Sequence, residues 1–143
     1  AIGLIQLQKL KIFVESRRAI TKYWSNALSK WSNFFDFQSE TKDAESSVFG
    51  FPLVIKDGAP FNRGEITSFL NSRGIETRPI ICGNIAAQPA MNLFDHKVVS
   101  DLSNANKIMK DGFSFGNHQH ITKEAMNYLV DIIDEFMKTK SVT

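Results

Sequence analysis

Residues 48–81 read VFGFPLVIKDGAPFNRGEITSFLNSRGIETRPII, and this stretch decides the fold class. Val48 to Lys56 is rich in aromatic and aliphatic residues and predicts a strand. Pro52 inside it lacks an amide donor, so an edge position or a bulge is expected there. Asp57-Gly58-Ala59-Pro60 is a turn. Asn62 then stands as a helix N-cap, Glu65 completes a capping box three residues on, and Phe61 is placed to staple against Ile66. The helix runs through Phe69 and Leu70 and ends at Gly74, a residue that enters the left-handed region without a side-chain clash. Ile75 to Ile81 predicts a second strand.

Downstream, Gly83-Asn84 leads into a short segment interrupted by Pro89. A short helix capped by Asp101 or Ser103 ends near Lys110 and stops at Gly112, and Phe113 to Phe115 predicts a third strand. Thr122 caps a last helix, with Ile121 placed to staple against Met126. Its apolar face is Met126, Leu129, Val130, Ile133, Phe136 and Met137. Upstream, residues 1–32 predict one long helix. Its first half (Ile2, Leu4, Ile5, Leu7, Leu10, Ile12, Phe13, Val14) is too densely apolar for a single stripe and calls for a partner surface. Gln38 to Ser47 is polar, without periodicity, and reads as a mobile loop. The expected architecture is therefore α+β: a long linking helix over 1–32, then a unit over 48–143 with a small three-stranded sheet covered by helices.

The chain has 143 residues, 43% hydrophobic and 22% charged, the size and balance of one ordinary domain. A net charge of +2 argues against a protein whose main task is gripping nucleic acid. The single cysteine, Cys82, excludes an internal disulfide and a multi-thiolate metal site. No apolar run approaches the ~20 residues of a membrane span, and the opening residues lack the pattern of a signal peptide, so a cytoplasmic location is expected. Twelve phenylalanines imply a core built largely on ring burial, although Phe49 and Phe115 flank glycines and could line a cleft.

Chemistry-bearing residues are sparse. His118 and His120 have no third ligand or cysteine pair beside them, so no metal site is expected. No phosphate loop, nucleophile elbow or acid–base pair is present. Arg78 stands near the end of a strand and is followed by Pro79 and the Gly83-Asn84 turn. It can aim a guanidinium at an anion or pair with a carboxylate such as Glu76 or Asp57. Phe115-Gly116-Asn117-His118-Gln119 is a second polar turn after a strand, which is either a binding loop or a plain connection.

Taken together, Phe49-Gly50-Phe51, Asp57-Gly58-Ala59-Pro60-Phe61, Gly74-Ile75-Glu76-Thr77-Arg78-Pro79, Gly83-Asn84 and Gln88-Pro89-Ala90 resemble the C-terminal region of the DegT/DnrJ/StrS family. Members of that family are pyridoxal-phosphate (PLP) enzymes acting on nucleotide-linked keto-sugars. The Gly83-Asn84 turn and Gly116-Asn117-His118 resemble its sugar 3-dehydratase branch of lipopolysaccharide and O-antigen biosynthesis. Ala1-Ile2-Gly3-Leu4-Ile5-Gln6-Leu7 is similar to the family's helix start.

The resemblance implies the small domain of a type I PLP-dependent transferase fold, with a nucleotide-linked keto-sugar as substrate and a homodimer as the assembly. It implies that the parent protein is an NDP-4-keto-6-deoxyhexose 3-dehydratase, or alternatively a sugar aminotransferase of the same family. It also implies that PLP and the catalytic residues belong to a preceding large domain. No helix cap precedes residue 1, so either an initiator methionine has been removed or the chain is a C-terminal piece; the piece is favoured, and by itself is expected to be inactive. A free-standing binding module is the remaining alternative, and a native start codon directly before Ala1 would support it. By analogy, Phe49, Arg78, Asn84, Lys107, Asn117 and His118 line the substrate cleft. Lys107 stands where a relative carries an arginine, so it keeps the charge without the bidentate geometry.

Overall fold

The computed structural model describes residues 2–140; Ala1, in the family-like helix start, and residues 141–143 of the expected α+β unit lie outside the described residues. Helix α1 (Ile2–Leu28) is followed by a 3-10 turn (Ser29–Trp31) and strand β1 (Phe35–Phe37). Then come β2 (Gly50–Ile55), α2 (Arg63–Ser72), β3 (Thr77–Pro79), two 3-10 turns (Ile85–Ala87 and Pro89–Leu93), α3 (Ser103–Asp111), β4 (Gly112–Gly116) and α4 (Lys123–Lys140). The architecture is α+β, as expected.

The sheet has four antiparallel strands in the order β1-β2-β4-β3, where three were expected. The added strand, β1, is three residues long, with Phe35 buried, Asp36 exposed and Phe37 between. A run that short carries too little alternation to stand out from the Phe34–Phe37 cluster. Two expected strands also shorten. Ile75 to Ile81 contributes only Thr77–Pro79, because the Gly83 amide donates to the Ile80 carbonyl (3.2 Å) and turns the chain out of the sheet. Pro52 occupies an inner strand, yet β1 reaches only as far as Leu53. At Pro52 the strand is therefore an edge on that side, which is the tolerated setting for proline.

One face of the sheet carries Phe51, Leu53, Ile55, Phe113 and Phe115, all buried against Ile20, Trp24 and Leu28 of α1, Ile66 and Leu70 of α2, and the apolar side of α4. Trp24 meets Phe51 and Phe115 edge-on, with ring centres 5.7 and 5.2 Å away. That geometry is favoured by the ring quadrupoles and adds to the burial itself. Helix α4 buries Leu129, Val130, Ile133, Phe136 and Met137 as expected, and Ile132 besides; Met126 is only half-buried. Helix α3 crosses the other face. It runs directly into β4 at residue 112, where the junction is tight enough to need glycine: an added Cβ would lie 2.4 Å from the Ile108 carbonyl oxygen of the helix's own last turn.

The local signals hold. Asn62 Oδ1 accepts from the Glu65 amide (3.1 Å) and Glu65 Oε2 accepts from the Asn62 amide (2.8 Å). Gly74 has φ +76° and the Ile75 amide returns to the Leu70 carbonyl. Thr122 Oγ1 accepts from the Ala125 amide. At α3 neither expected residue is the cap itself: Leu102 holds that position, with Asp101 Oδ1 accepting from the Ser103 amide one step outside. Helix α1 divides in two. From Ile20 onward it is built into the core, whereas Ile2 and Leu4 are 80% and 71% exposed, with Ile5, Leu7, Leu10 and Ile12 also open.

Hydrogen bonds from Lys140 and from the Asn62 amide hold the Glu65 carboxyl below its ordinary value of 4.5. A depressed folded-state value means that its stabilisation is present above the unfolded value and is lost as pH falls through the folded one. Urea unfolding between pH 7 and pH 3 is expected to show a shallower pH dependence in Glu65→Gln than in the wild type. Asn62→Ala is expected to cost about 1 kcal/mol at neutral pH.

Candidate functional site

The open face of the sheet follows from its pleat. With Phe51, Phe113 and Phe115 turned into the core, Gly50, Ser114 and Gly116 face the other way, and Arg78 sits opposite Ser114 in the register. These small residues form the floor of a cleft of about 670 Å³. Phe49 walls one side; Arg63 and Met109 wall another, and the Ile80–Gly83 loop closes the third. The loop is held in shape by two successive left-handed residues, Cys82 (φ +61°) and Gly83 (φ +51°). Gly83 has both a conformational and a steric reason, since a Cβ there would lie 2.5 Å from that of Met109.

The six expected site residues do not converge. Phe49 and Arg78 line the cleft, the first 69% exposed, the second pointing a solvated guanidinium that pairs with Glu76. Of the two roles left open for Arg78, the structure contains the carboxylate pairing, with Glu76, and places the residue at the cleft. Asn84 is buried (6% exposed) and committed to the chain: its Oδ1 accepts from the Ala86 amide (3.0 Å) and its Nδ2 donates to Asn106 Oδ1 (2.7 Å). It builds the turn after the cleft loop and does not line the cleft. Lys107 stands outside as well, its ammonium bridging Asp57 (2.5 Å) and Asp111 (2.9 Å). The hydrogen bond that Lys107 donates to Asp57, opposed by partial burial and reinforced by Asp111, holds the Lys107 ammonium above its ordinary range; Lys107 in turn holds Asp57 below. Asn117 is buried under the sheet's end, bonded to α1 and to Val48. His118 is exposed beside His120, ring centres 5.1 Å apart, with its Nδ1 accepting from the His120 amide.

Arg63 is a cleft residue that the sequence reading missed. It is the first residue of α2, and its Nη1 donates to the carbonyls of Met109 (2.8 Å) and Gly112 (3.3 Å), so the guanidinium is fixed at the α3–β4 junction. The capping box just before it was legible, but nothing local says which way residue 63 points. Among the described lining residues there is no lysine and no carboxylate, so the cleft offers two arginines, several apolar side chains and small-residue backbone. No group of three or more metal-ligating side chains occurs among the described residues, and no described helix is long and apolar enough to cross a membrane. Such a cleft suits an anionic ligand with an apolar face.

The DegT/DnrJ/EryC1/StrS aminotransferase family matches residues 1–134. The chain belongs to this family. It is 34% identical over 136 residues to the lipopolysaccharide biosynthesis protein RfbH of Salmonella typhimurium, covering 95% of this chain and 31% of that protein. It is 37% identical over 134 residues to the GDP-4-keto-6-deoxy-D-mannose 3-dehydratase of Yersinia pseudotuberculosis, covering 93% and 33%. The solved Escherichia coli GDP-4-keto-6-deoxy-D-mannose 3-dehydratase with bound hydrated PLP superposes with a TM-score of 0.83 at 36% identity, over 92% of this chain and 33% of that one. The chain thus spans about a third of the length of the relatives it matches. The family and the α+β small-domain fold anticipated from the loops are both correct.

An exposed ion pair contributes little to stability, about 0–1 kcal/mol. Arg78→Ala and Glu76→Gln are therefore each expected to leave the melting temperature within about 4 °C of the wild type. Calorimetric titration with inorganic pyrophosphate is expected to show roughly tenfold weaker binding in Arg78→Ala. Binding should tighten in Glu76→Gln, which frees the guanidinium. A lowered melting temperature with unchanged anion binding would leave Arg78 a structural role only.

Proposed function

We propose that this chain is the small domain of a PLP-dependent NDP-4-keto-6-deoxyhexose 3-dehydratase of lipopolysaccharide or O-antigen deoxysugar biosynthesis, a cytoplasmic homodimer. The observation that carries this reading is the similarity to GDP-4-keto-6-deoxy-D-mannose 3-dehydratases along nearly the whole chain. The cleft is compatible with it. Phe49, Ile80, Ile81 and Met109 offer apolar surface to a deoxysugar, and Arg78 and Arg63 offer charge to the diphosphate of a nucleotide-linked substrate.

The cleft lining does not suit the cofactor itself. PLP chemistry needs a group held beneath its ring and a carboxylate partner for the pyridine nitrogen, and neither type of residue lines the cleft. Lys107, bridged between two carboxylates and held protonated, is a poor amine nucleophile. In this reading the cofactor is carried by residues outside the sequence. The chain's own part is to orient the sugar, balance the charge of its diphosphate and keep water from the reacting face.

A sugar aminotransferase is the second reading, favoured by the family's own description. The two separate on the product. Incubating the full-length protein that contains this chain with PLP, glutamate and GDP-4-keto-6-deoxymannose is expected to give a keto-sugar one oxygen lighter, by mass spectrometry. An amino sugar would establish transamination instead. No conversion, together with a tight, stoichiometric PLP–lysine adduct on the 143-residue chain alone, would overturn the small-domain reading.

A further inference from the structure

We infer that Asn117, expected to touch substrate, is instead a positioning residue that fixes the Phe49 wall of the cleft to helix α1. The inference rests on the proposed function, because it assigns a role within that site. Asn117 is 3% exposed and does not line the cleft. Its backbone amide donates to the Phe49 carbonyl (2.8 Å), the hydrogen bond that continues the β2–β4 ladder one step beyond the Gly50–Gly116 pair. Its side-chain Nδ2 lies within hydrogen-bond distance of three acceptors: the Val48 carbonyl (3.0 Å), the Arg17 carbonyl (3.1 Å) and Thr21 Oγ1 (2.9 Å). One residue therefore grips both residues at the entry to β2 and a full turn of α1.

The chemistry of the site selects asparagine. Every neighbour of Nδ2 is an acceptor, so a donor is required there; aspartate would set a carboxylate against two carbonyls. The other end of the amide, Oδ1, is buried and accepts no hydrogen bond from the chain. What Nδ2 determines is where Val48 and Phe49 lie relative to α1. Phe49 itself is largely exposed and lies outside the buried core cluster. Its backbone is what holds the wall in place.

Hydrogen exchange and kinetics test this together. In the 143-residue chain, amide exchange across residues 46–52 is expected to accelerate at least tenfold in Asn117→Ala, with α4 unaffected. Thr21→Val, which removes one acceptor far from the cleft and risks less of the fold, should give a smaller acceleration in the same segment. In the full-length protein, Phe49→Ala and Asn117→Ala are each expected to raise KM for GDP-4-keto-6-deoxymannose roughly five- to tenfold with kcat little changed. The double variant should be no worse than Phe49→Ala, since both act through one wall. Unchanged exchange at 46–52 overturns the inference whatever the kinetics show. So does a raised KM in Phe49→Ala with none in Asn117→Ala, or multiplicative effects in the double variant. If Phe49→Ala leaves KM unchanged, the cleft reading falls and the positioning role with it, a case marked by accelerated exchange without a kinetic effect.

Discussion

Everything in this molecule hangs on the indole of Trp24. It is the largest buried side chain, it presents its edge to Phe51 and Phe115, and through them it fastens α1 to the two central strands. Its Nε1 donates to the Met126 carbonyl, so the same ring also touches the start of α4. Phe51 and Phe115 stack on each other across the β2–β4 pair, which makes a three-ring cluster where helix and sheet meet. Truncating so large a ring in such a place typically costs 3–5 kcal/mol, comparable to much of a domain's net stability.

That fixed seam sorts the remaining residues. Because the phenylalanines of β2 and β4 commit to the helical face, the residues between them must turn outward, and those residues are Gly50, Ser114 and Gly116. A one-residue shift of register would put rings in the cleft and glycines in the core. The open floor of the site is thus the other side of the core's own alternation. Arg78 and Arg63 are added from flanking elements, one across from Ser114 and the other pinned by the carbonyls at the α3–β4 junction.

How much of this was legible in the sequence depends on the range of the signal. Asn62, Glu65 and Gly74 act on their own backbone, and all three do in the structure what their spacing implies. Strand β1 was illegible, since Phe35 and Phe37 mean little until β2 lies beside them. The site was harder still. Phe49 and Arg78 reach the cleft, but Asn84, Lys107 and Asn117 are polar residues near a cleft whose hydrogen-bonding capacity is largely taken by the chain. No local pattern distinguishes an amide that faces a ligand from one that faces a carbonyl. Arg63 shows the converse: an ordinary first-turn residue becomes part of a wall only because α3 ends beside it.

The division of α1 has a mechanical consequence. Arg18 is fastened to Glu45 and Ser46, and Phe13 meets the His120 ring, but Ile2–Ile12 extends past these attachments as continuous helix. That extension is a stiff lever some 16 Å long, at 1.5 Å of rise per residue. A tilt of a few degrees at its base displaces the tip by about 1 Å. A force applied at the far end would therefore be transmitted as torque to the segment around Arg17 and Thr21, whose carbonyl and hydroxyl the Asn117 amide holds.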